Sequence, residues 1–273
     1  MSAASGDGRL TVLYIEDNAS NLQLVKRIFR DRDEIVLCTA SRGQEGIDMA
    51  RDVLPGLVLL DLHLPDMPGA EVLEALHDDP LTAAIPVVVV SADATVDQIK
   101  HLRAGGVADY VTKPFEVPRL LAVVDAFVAP QPAAASASAA SNGDGSGPGA
   151  GSAPAVHDEP ILDPGRVAEL IGLDADGAAF RSLAALALQE AGEQIATISA
   201  VQIAGQDAAA ASAAAHGVKS SAATLGARRL ASLADTVEQA ARAGSLPDPS
   251  LVSELRRALT EAEQAAIDAG GER

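Results

Sequence analysis

Five short runs of aliphatic residues, each followed by a longer segment of helical character, constrain the fold of this chain more than any other feature. They lie between residues 10 and 128. The runs are apolar throughout rather than alternating, which is typical of strands buried on both faces of a sheet. Strand and helix signals in regular alternation predict a doubly wound, five-stranded parallel α/β sheet. The predicted strands are LTVLYI, IVLC, GLVLL, PVVVV and ADYVT, and the predicted helices are 20–30, 43–51, 69–77, 95–104 and 116–128.

The composition changes abruptly after residue 128. Residues 129–157 are mainly Ala, Ser, Gly and Pro, with almost no charge. A segment of this kind offers nothing from which to build a core, so we predict a disordered, flexible linker. The chain is therefore expected to hold two domains, at residues 10–128 and 158–270.

The segment 158–270 contains helical periodicity and no strand signal. Asp163-Pro164 has the form of a helix N-cap followed by proline at the first helical position. Apolar residues recur at helical spacing in three stretches, which predicts an antiparallel helical bundle. The three apolar stripes are Phe180, Leu183, Ala187, Ala191, Ile195 and Ile198; Leu230, Leu233, Val237 and Ala241; and Val252, Leu255, Leu259, Ala262 and Ala266.

Polar side chains follow four of the five predicted strands where each strand ends. Glu16 and Asp17 end the first strand, Asp61 ends the third, Ser91 ends the fourth, and Lys113 follows the fifth. The carboxyl ends of parallel strands meet at one edge of the sheet, where ligands bind. Crowded carboxylates repel one another, and a hard divalent cation such as Mg²⁺ relieves that repulsion.

These five residues also have the properties that phosphoryl transfer needs. A hydroxyl, an ammonium group and a metal ion together bind an anion, and catalysis of phosphoryl transfer is mainly positioning and charge neutralisation. Asp61 is the candidate nucleophile, which would form an aspartyl phosphate. Taken singly, each residue has a structural alternative as a strand-end cap or a solvated turn residue.

Residues 10–128 resemble the receiver domain of two-component response regulators, which has a flavodoxin-like fold. The resemblance is carried by the motifs VLYIEDN, LVLLDLHLPDMPG, VVVVSA and DYVTKPF. It implies that Asp61 is the phosphoacceptor and that Mg²⁺ is held by Glu16, Asp17, Asp61 and the backbone carbonyl of His63. It further implies that Ser91 and Lys113 contact the phosphoryl group.

The same resemblance implies that Tyr110 is the switch aromatic and that Lys113-Pro114 is a cis peptide. Two alternatives stay open for these positions. Tyr110 has an alternative role as a packed, half-exposed aromatic, and Pro114 has one as an ordinary trans residue. The His63 side chain is not expected to be a metal ligand, because a lone histidine in a loop is more often solvated. A weaker hypothesis is that His63 and Asp93, which flank the site, tune dephosphorylation.

His216 is the candidate functional residue of the second domain. It lies in the predicted Ala-rich helix 206–225, and Lys219, three residues on, projects from the same face. A neutral imidazole is a competent nucleophile near neutral pH, and a nearby ammonium group would stabilise the phosphoryl group that it acquires. The small neighbours Ala213, Gly217 and Ser220 would leave the ring accessible. The structural alternative is an inert surface histidine.

The string AHGVKSSAATLGARRLASLADTVEQAA resembles the histidine phosphotransfer (HPt) domain over roughly residues 160–268. The resemblance implies that His216 carries a phosphoryl group with support from Lys219. One position departs from the family, because Ser220 follows the lysine where glycine is common. This serine could crowd the ring or bring its hydroxyl into the phosphate shell. Arg228 and Arg229 belong either to a docking surface or, as we favour, to a solvated helix face.

The composition limits the classes of partner that the chain is expected to bind. The chain has 20 basic and 38 acidic residues, a formal net charge of −18, which argues against nucleic-acid and anionic-membrane binding. The single cysteine, Cys38, excludes an intramolecular disulfide and fits a reducing cytosol. The N-terminal residues lack the pattern of a signal peptide, and the apolar runs are too short to span a bilayer. We therefore expect a cytoplasmic protein.

The favoured function is that of a phosphorelay protein. A sensor histidine kinase would phosphorylate Asp61 with Mg²⁺ present, and His216 would pass the group to or from another receiver. No kinase catalytic domain is recognised, so the chain is not assigned as a conventional enzyme. One alternative is a regulatory binding module gated by phosphorylation, in which His216 is unused. Another is a Mg²⁺-dependent phosphatase, which the position of Asp61 on the third strand disfavours. The direction of flow and the choice between intramolecular and intermolecular transfer stay open.

Overall fold

A computed structural model describes residues 8–91, 106–128 and 160–271. Its N-terminal part is a five-stranded parallel sheet in the order β2-β1-β3-β4-β5. The strands are β1 (Leu10–Ile15), β2 (Ile35–Ala40), β3 (Leu57–Leu60), β4 (Val87–Ser91) and β5 (Asp109–Thr112). The described helices of this part are α1 (Ala19–Phe29), α2 (Gly43–Val53), α3 (Gly69–Asp78) and α4 (Val117–Val128). The predicted helix 95–104, Asp93 and the predicted linker 129–157 lie outside the described residues.

The sheet is buried on both faces, as the uninterrupted apolar runs predict. Every residue of β3 is fully buried. Successive residues of β1 and β3 point to opposite faces, because side chains alternate along a strand. Leu57 and Leu59 pack in one apolar cluster with α1 and α4, and Val58 and Leu60 pack in the other with α2 and α3. The doubly wound α/β fold is confirmed.

The C-terminal part is helical, and the predicted stripes form its interior. The helices are α5 (Pro164–Ile171), α6 (Ala178–Ala204), α7 (Ala208–Leu225), α8 (Arg228–Arg242) and α9 (Pro249–Gly271). Asp163 caps α5, with its side chain accepting a hydrogen bond from the Arg166 amide at 2.9 Å. Gly226 ends α7 at φ +78°, where an added Cβ would lie 2.9 Å from the Cβ of Asp163. Glycine is therefore required at this turn.

The two parts pack against each other. Helix α1 contacts α6 and α7, and one apolar cluster runs from the sheet through α1 into the bundle. Polar contacts also join the two parts. Arg27 of α1 forms an ion pair with Asp174, and the Val117 amide of α4 donates a hydrogen bond to Glu169 of α5 at 2.7 Å. This packing brings the carboxyl edge of the sheet to α7, the helix that carries His216. Within the described ranges, no helix has the length and apolar character needed to cross a membrane.

Candidate functional site

The loop after β3 is held tightly against the start of α3, which fixes the position of Asp61. The Gly69 amide donates to the Leu62 carbonyl at 2.9 Å. An added Cβ on Gly69 would lie only 2.4 Å from the Asp61 carbonyl oxygen. No side chain fits in that gap, so the glycine of the DMPG motif lets the helix begin directly beneath the strand end.

Glu16, Asp17 and Asp61 converge at the carboxyl edge of the sheet, as predicted. One oxygen of each carboxylate lies within 4.8 Å of the others. Lys113 joins two of them, with its Nζ donating to Glu16 Oε2 at 2.5 Å and to Asp61 Oδ2 at 2.6 Å. Tyr14 also donates its hydroxyl to Glu16 Oε2 at 2.5 Å. The site is therefore a cluster of three carboxylates and one ammonium group, in which Glu16 and Asp61 are buried and Asp17 is exposed.

The electrostatics of the cluster indicate an excess of negative charge. Burial, together with the nearby Asp61 carboxylate, raises the pKa of Glu16 to about 7 despite the opposing effect of Lys113. Desolvation and the charge of Asp61 also raise the pKa of Asp17. Burial alone would lower the pKa of Lys113, but Asp61 and Glu16 raise it above its ordinary value. One lysine thus leaves the three carboxylates short of positive charge, and a cluster of hard oxygen donors fits a divalent cation.

Ser91 and Tyr110 lie on neighbouring strands beside the cluster. The Ser91 carbonyl accepts from the Lys113 amide at 2.9 Å and from the Tyr110 hydroxyl at 3.1 Å. Tyr110 is buried, so its half-exposed alternative is wrong, and its role as a switch stays a prediction.

The Lys113-Pro114 peptide is cis, as the resemblance implied. The His63 amide donates to Asp61 Oδ1 at 3.2 Å, and the role of the His63 carbonyl as a metal ligand stays a prediction.

His216 lies at the other side of the site, and its ring is oriented by a buried glutamate. The His216 Nδ1 atom is 3.0 Å from Glu238 Oε1. Burial would raise the pKa of Glu238, but the hydrogen bond and charge of His216, with Lys219 and Arg242, lower it to about 2. Because an ionised carboxylate only accepts hydrogen bonds, Nδ1 carries the proton. In the neutral ring the other nitrogen, Nε2, therefore carries the lone pair.

Lys219 has a different environment from the one predicted. Its Nζ donates to Asp235 Oδ1 at 2.7 Å and to Glu238 Oε2 at 3.2 Å, so it neutralises carboxylates of α8. Its contact with a phosphoryl group stays a prediction. Sequence reasoning missed Glu238 and Arg242, which form an i,i+4 ion pair. The available signal was a charged residue on the buried face of α8, between Ala234 and Ala241.

The rings of His63 and His216 lie against each other across the two domains. Their centroids are 4.1 Å apart, at an interplanar angle of 35°. Arg242 Nη2 lies 3.3 Å from His63 Nε2. The His63 side chain is therefore half-buried, because docking of the second domain covers part of it. A charge on the His216 ring would oppose the rise in the pKa of Asp17, so the imidazole lies within electrostatic reach of the carboxylate cluster.

The two arginines near the end of α7 do not contribute to this contact. Arg228 pairs with Asp163, and Arg229 pairs with Glu261 at 2.7 Å. Both partners belong to the C-terminal domain. This arrangement agrees with the favoured prediction of a solvated helix face.

Comparisons with known proteins agree with this architecture. The family described as the response regulator receiver domain matches residues 12–125. The polar-differentiation response regulator DivK of Brucella ovis is 34% identical over 118 residues, which are 43% of this chain and 95% of the relative. The chain belongs to the response regulator receiver family. The DivK of Brucella anthropi is 33% identical over the same span.

Further matches cover the second domain and several solved receiver domains. The Hpt domain family matches residues 182–265, so this receiver domain is followed by an HPt domain, and the chain is a phosphorelay protein. The receiver domain of a LuxO repressor protein from Vibrio parahaemolyticus is 29% identical, covering 44% of this chain and 90% of its own, with a TM-score of 0.42. The Francisella response regulator 1452 receiver domain is 23% identical, covering 44% and 97%, with a TM-score of 0.41.

Proposed function

We propose that Asp61 and His216 are the two phosphoryl-carrying residues of this phosphorelay protein. One observation carries the proposal: the His216 imidazole lies 4.1 Å from the ring of His63, and the His63 amide donates to the Asp61 carboxylate. A candidate nitrogen nucleophile and a candidate carboxylate nucleophile thus meet at one site. The Asp61 and Glu16 carboxylates are buried there, which strengthens electrostatic stabilisation of a transferring group.

The first transfer would load Asp61 from a sensor histidine kinase. An Asp61 oxygen attacks the phosphorus of the donor phosphohistidine, an O–P bond forms, and the N–P bond of the donor breaks. Glu16, Asp17 and Asp61 would hold Mg²⁺ with the His63 backbone carbonyl, and the ion would neutralise charge on the phosphoryl oxygens. The Lys113 ammonium and the Ser91 hydroxyl would contact the same oxygens, with Tyr110 responding as the switch.

The second transfer would move the group to His216. The Nε2 lone pair attacks phosphorus, the N–P bond forms, the bond from phosphorus to the Asp61 oxygen breaks, and the carboxylate is restored. The Nδ1 proton stays in its hydrogen bond to Glu238, whose negative charge stabilises the positive charge that the ring gains. Lys219 would supply further positive charge. The reverse reaction uses the same groups, so His216 can pass the phosphoryl unit to or from another receiver.

The different labilities of the two phosphoryl adducts provide the test. Wild type, Asp61→Asn and His216→Gln are incubated with a labelled small acyl phosphate and Mg²⁺, and label is measured after acid and after base. Phosphohistidine is lost in acid and aspartyl phosphate in base. We expect wild type to carry both, His216→Gln only the base-labile form, and Asp61→Asn neither. His77→Gln, a histidine of α3, is the matched control and should carry both.

A second candidate function is a binding module whose docking is gated by phosphorylation of Asp61. The extensive contact of α1 with the HPt domain favours it, since a modified site would disturb that contact. Under this function wild type would carry only the base-labile label. Absence of acid-labile label in wild type would therefore contradict the relay through His216 and favour the gated module. The single cysteine and the expected kinase partner favour a cytoplasmic location for either function.

A further inference from the structure

Asn21 of α1 connects the receiver domain to the HPt domain through buried hydrogen bonds. Its Nδ2 donates to Ser220 Oγ at 3.0 Å, and its Oδ1 accepts from Thr224 Oγ1 at 2.6 Å. Nδ2 also donates to Glu16 Oε1 at 3.0 Å. All four side chains are buried. The Ser220 hydroxyl thus bonds Asn21 of the other domain.

A second set of hydrogen bonds lies at the N-terminus of α1. The Glu190 carboxylate of α6 accepts from the amides of Ala19 at 2.8 Å and Ser20 at 3.2 Å. These first-turn amides have no acceptor within their own helix, and a carboxylate there is favoured by the helix dipole. Asn18 Nδ2 donates to Ser221 Oγ at 2.8 Å, and Ser221 Oγ donates to Glu190 Oε2 at 3.2 Å.

These contacts form what we call the docking junction, made by Asn18, Asn21, Glu190, Ser220, Ser221 and Thr224. Buried donors and acceptors of this kind discriminate between partners, because a partner that lacks the matching group leaves a polar atom desolvated and unbonded. Asn21 needs both an acceptor and a donor from the opposing helix, four residues apart. Ser220 and Thr224 of this chain supply them, and a glycine at position 220 would not.

The chain also presents its own HPt domain at high concentration. The two domains are joined by residues 129–157, which the sequence predicts to be a flexible linker. Such a tether gives an effective concentration on the order of millimolar. A partner carried by another molecule would have to exceed that concentration or displace the matched junction.

We infer that the docking junction is the specificity determinant by which the receiver domain selects the HPt domain of its own chain, so that exchange between Asp61 and His216 is intramolecular. Docking itself is independent of the proposed function, and only the statement about exchange rests on it. Ser220, the position that departs from the HPt pattern, is then a specificity-determining residue rather than a defect.

Hydrogen exchange tests the docking without any phosphoryl group. In the full chain, exchange of the Ala19 and Ser20 amides reports separation of α1 from Glu190. The variant Ser220→Ala/Thr224→Val removes both partners of Asn21, and we expect about a tenfold faster exchange at these two amides, because two buried hydrogen bonds are lost. Unchanged exchange would overturn the inference.

The control is Thr236→Val on α8. Thr236 Oγ1 bonds the carbonyl four residues earlier, at 3.0 Å, as Thr224 Oγ1 does at 3.0 Å, but its hydroxyl makes no bond to the receiver. Exchange at Ala19 and Ser20 should match wild type in this control. An equal acceleration in the control would show that the loss of the backbone contact, not the junction, is responsible, and would overturn the inference.

A variant in the receiver domain controls for misfolding of the Ser220→Ala/Thr224→Val bundle. Asn21→Ala should accelerate the same two amides, and combining it with Ser220→Ala/Thr224→Val should add little, because both changes remove the same hydrogen bonds. Fully additive effects would contradict the junction. The accelerated exchange must also be independent of protein concentration, since a dependence would assign the docking to a second copy of the chain and overturn the intramolecular pairing.

The exchange of phosphoryl groups is tested by competition. Wild type is loaded with a labelled acyl phosphate in the presence of excess Asp61→Asn chain, whose His216 is intact. We expect acid-labile label on wild type alone, and on both chains when wild type is replaced by Ser220→Ala/Thr224→Val. Equal sharing of label in the wild-type mixture would overturn the intramolecular route. Absence of any acid-labile label would instead indicate failure of the proposed function, with the hydrogen-exchange result unaffected.

Discussion

Two buried glutamates, one in each domain, have opposite electrostatic environments. Glu16 is 0% exposed and Glu238 is 1% exposed. The pKa of Glu16 is raised to about 7, whereas the pKa of Glu238 is lowered to about 2. Glu16 shares one lysine with Asp61 and lies beside Asp17, while Glu238 is surrounded by His216, Lys219 and Arg242. Both side chains are covered from solvent, but Glu16 is the more strongly desolvated and has fewer positive neighbours, and these two differences together give the opposite signs.

The difference separates a site that needs another cation from one that is already neutralised. The receiver cluster keeps excess negative charge, which suits recruitment of a metal ion and then of a phosphoryl group. The HPt cluster has its cations in place, so its carboxylate can hold the His216 ring in one tautomer. The same kind of side chain thus serves binding in one domain and orientation in the other. The following predictions test this comparison.

The largest effect is expected from the two lysines that each bridge a pair of carboxylates. Lys113→Met leaves Glu16 and Asp61 buried without their cationic partner, and we expect a loss of about 3–5 kcal/mol in the free energy of unfolding in metal-free buffer. Lys219→Met, at a more exposed bridge, should lose only about 1 kcal/mol. Urea denaturation measures both values. Equal losses would contradict the difference between the two clusters.

The lowered pKa of Glu238 predicts a dependence of stability on pH. Since the folded pKa of about 2 lies below the usual value of 4.5, the stabilisation is complete above pH 4.5 and is lost as the pH falls towards 2. Its size is at most about 3 kcal/mol. Glu238→Gln should lower stability at pH 7 and flatten this part of the profile. The exposed Glu263→Gln is the control, and parallel profiles for wild type and Glu238→Gln would be inconsistent with the proposed ion pairing.

Addition of Mg²⁺ should stabilise the receiver cluster only. At a concentration one hundred times its dissociation constant, a ligand that binds the folded state adds about 2.7 kcal/mol. Asp17→Asn should abolish this gain, measured as the rise in thermal midpoint with Mg²⁺, whereas Glu238→Gln and the exposed Asp48→Asn should retain it. A gain that survives Asp17→Asn would place the cation elsewhere.

The smallest effect is expected where the two sites meet. The His63 amide bonds Asp61 and the His63 ring lies against His216, so this residue should limit access of water to a phosphoryl group on Asp61. His63→Asn is expected to speed decay of the aspartyl phosphate about threefold, less than 1 kcal/mol in barrier. The decay of base-labile label measures it, with His77→Asn as control. Equal decay rates in wild type and His63→Asn would remove the hypothesis that His63 tunes dephosphorylation.

The receiver cluster was more predictable than the HPt cluster, for a topological reason. Asp61 follows a strand, and parallel strands end at one edge whatever their side chains contact. Sequence position therefore determines which residues meet. The partners of His216 depend on which face of α8 turns towards α7. That relation is set by helix packing, which is why Glu238 and Arg242 were missed and Lys219 was assigned a different environment.

The sequence by itself determined the two domains, the sheet, the carboxylate cluster and the candidate histidine, because these follow from local periodicity and strand order. Only the tertiary structure decided that α1 docks on α6 and α7, that His63 covers His216, and that Ser220 and Thr224 bond Asn21. These contacts join residues about two hundred positions apart. Their formation depends on shape and on the burial of polar groups between domains, which no local pattern of residues encodes.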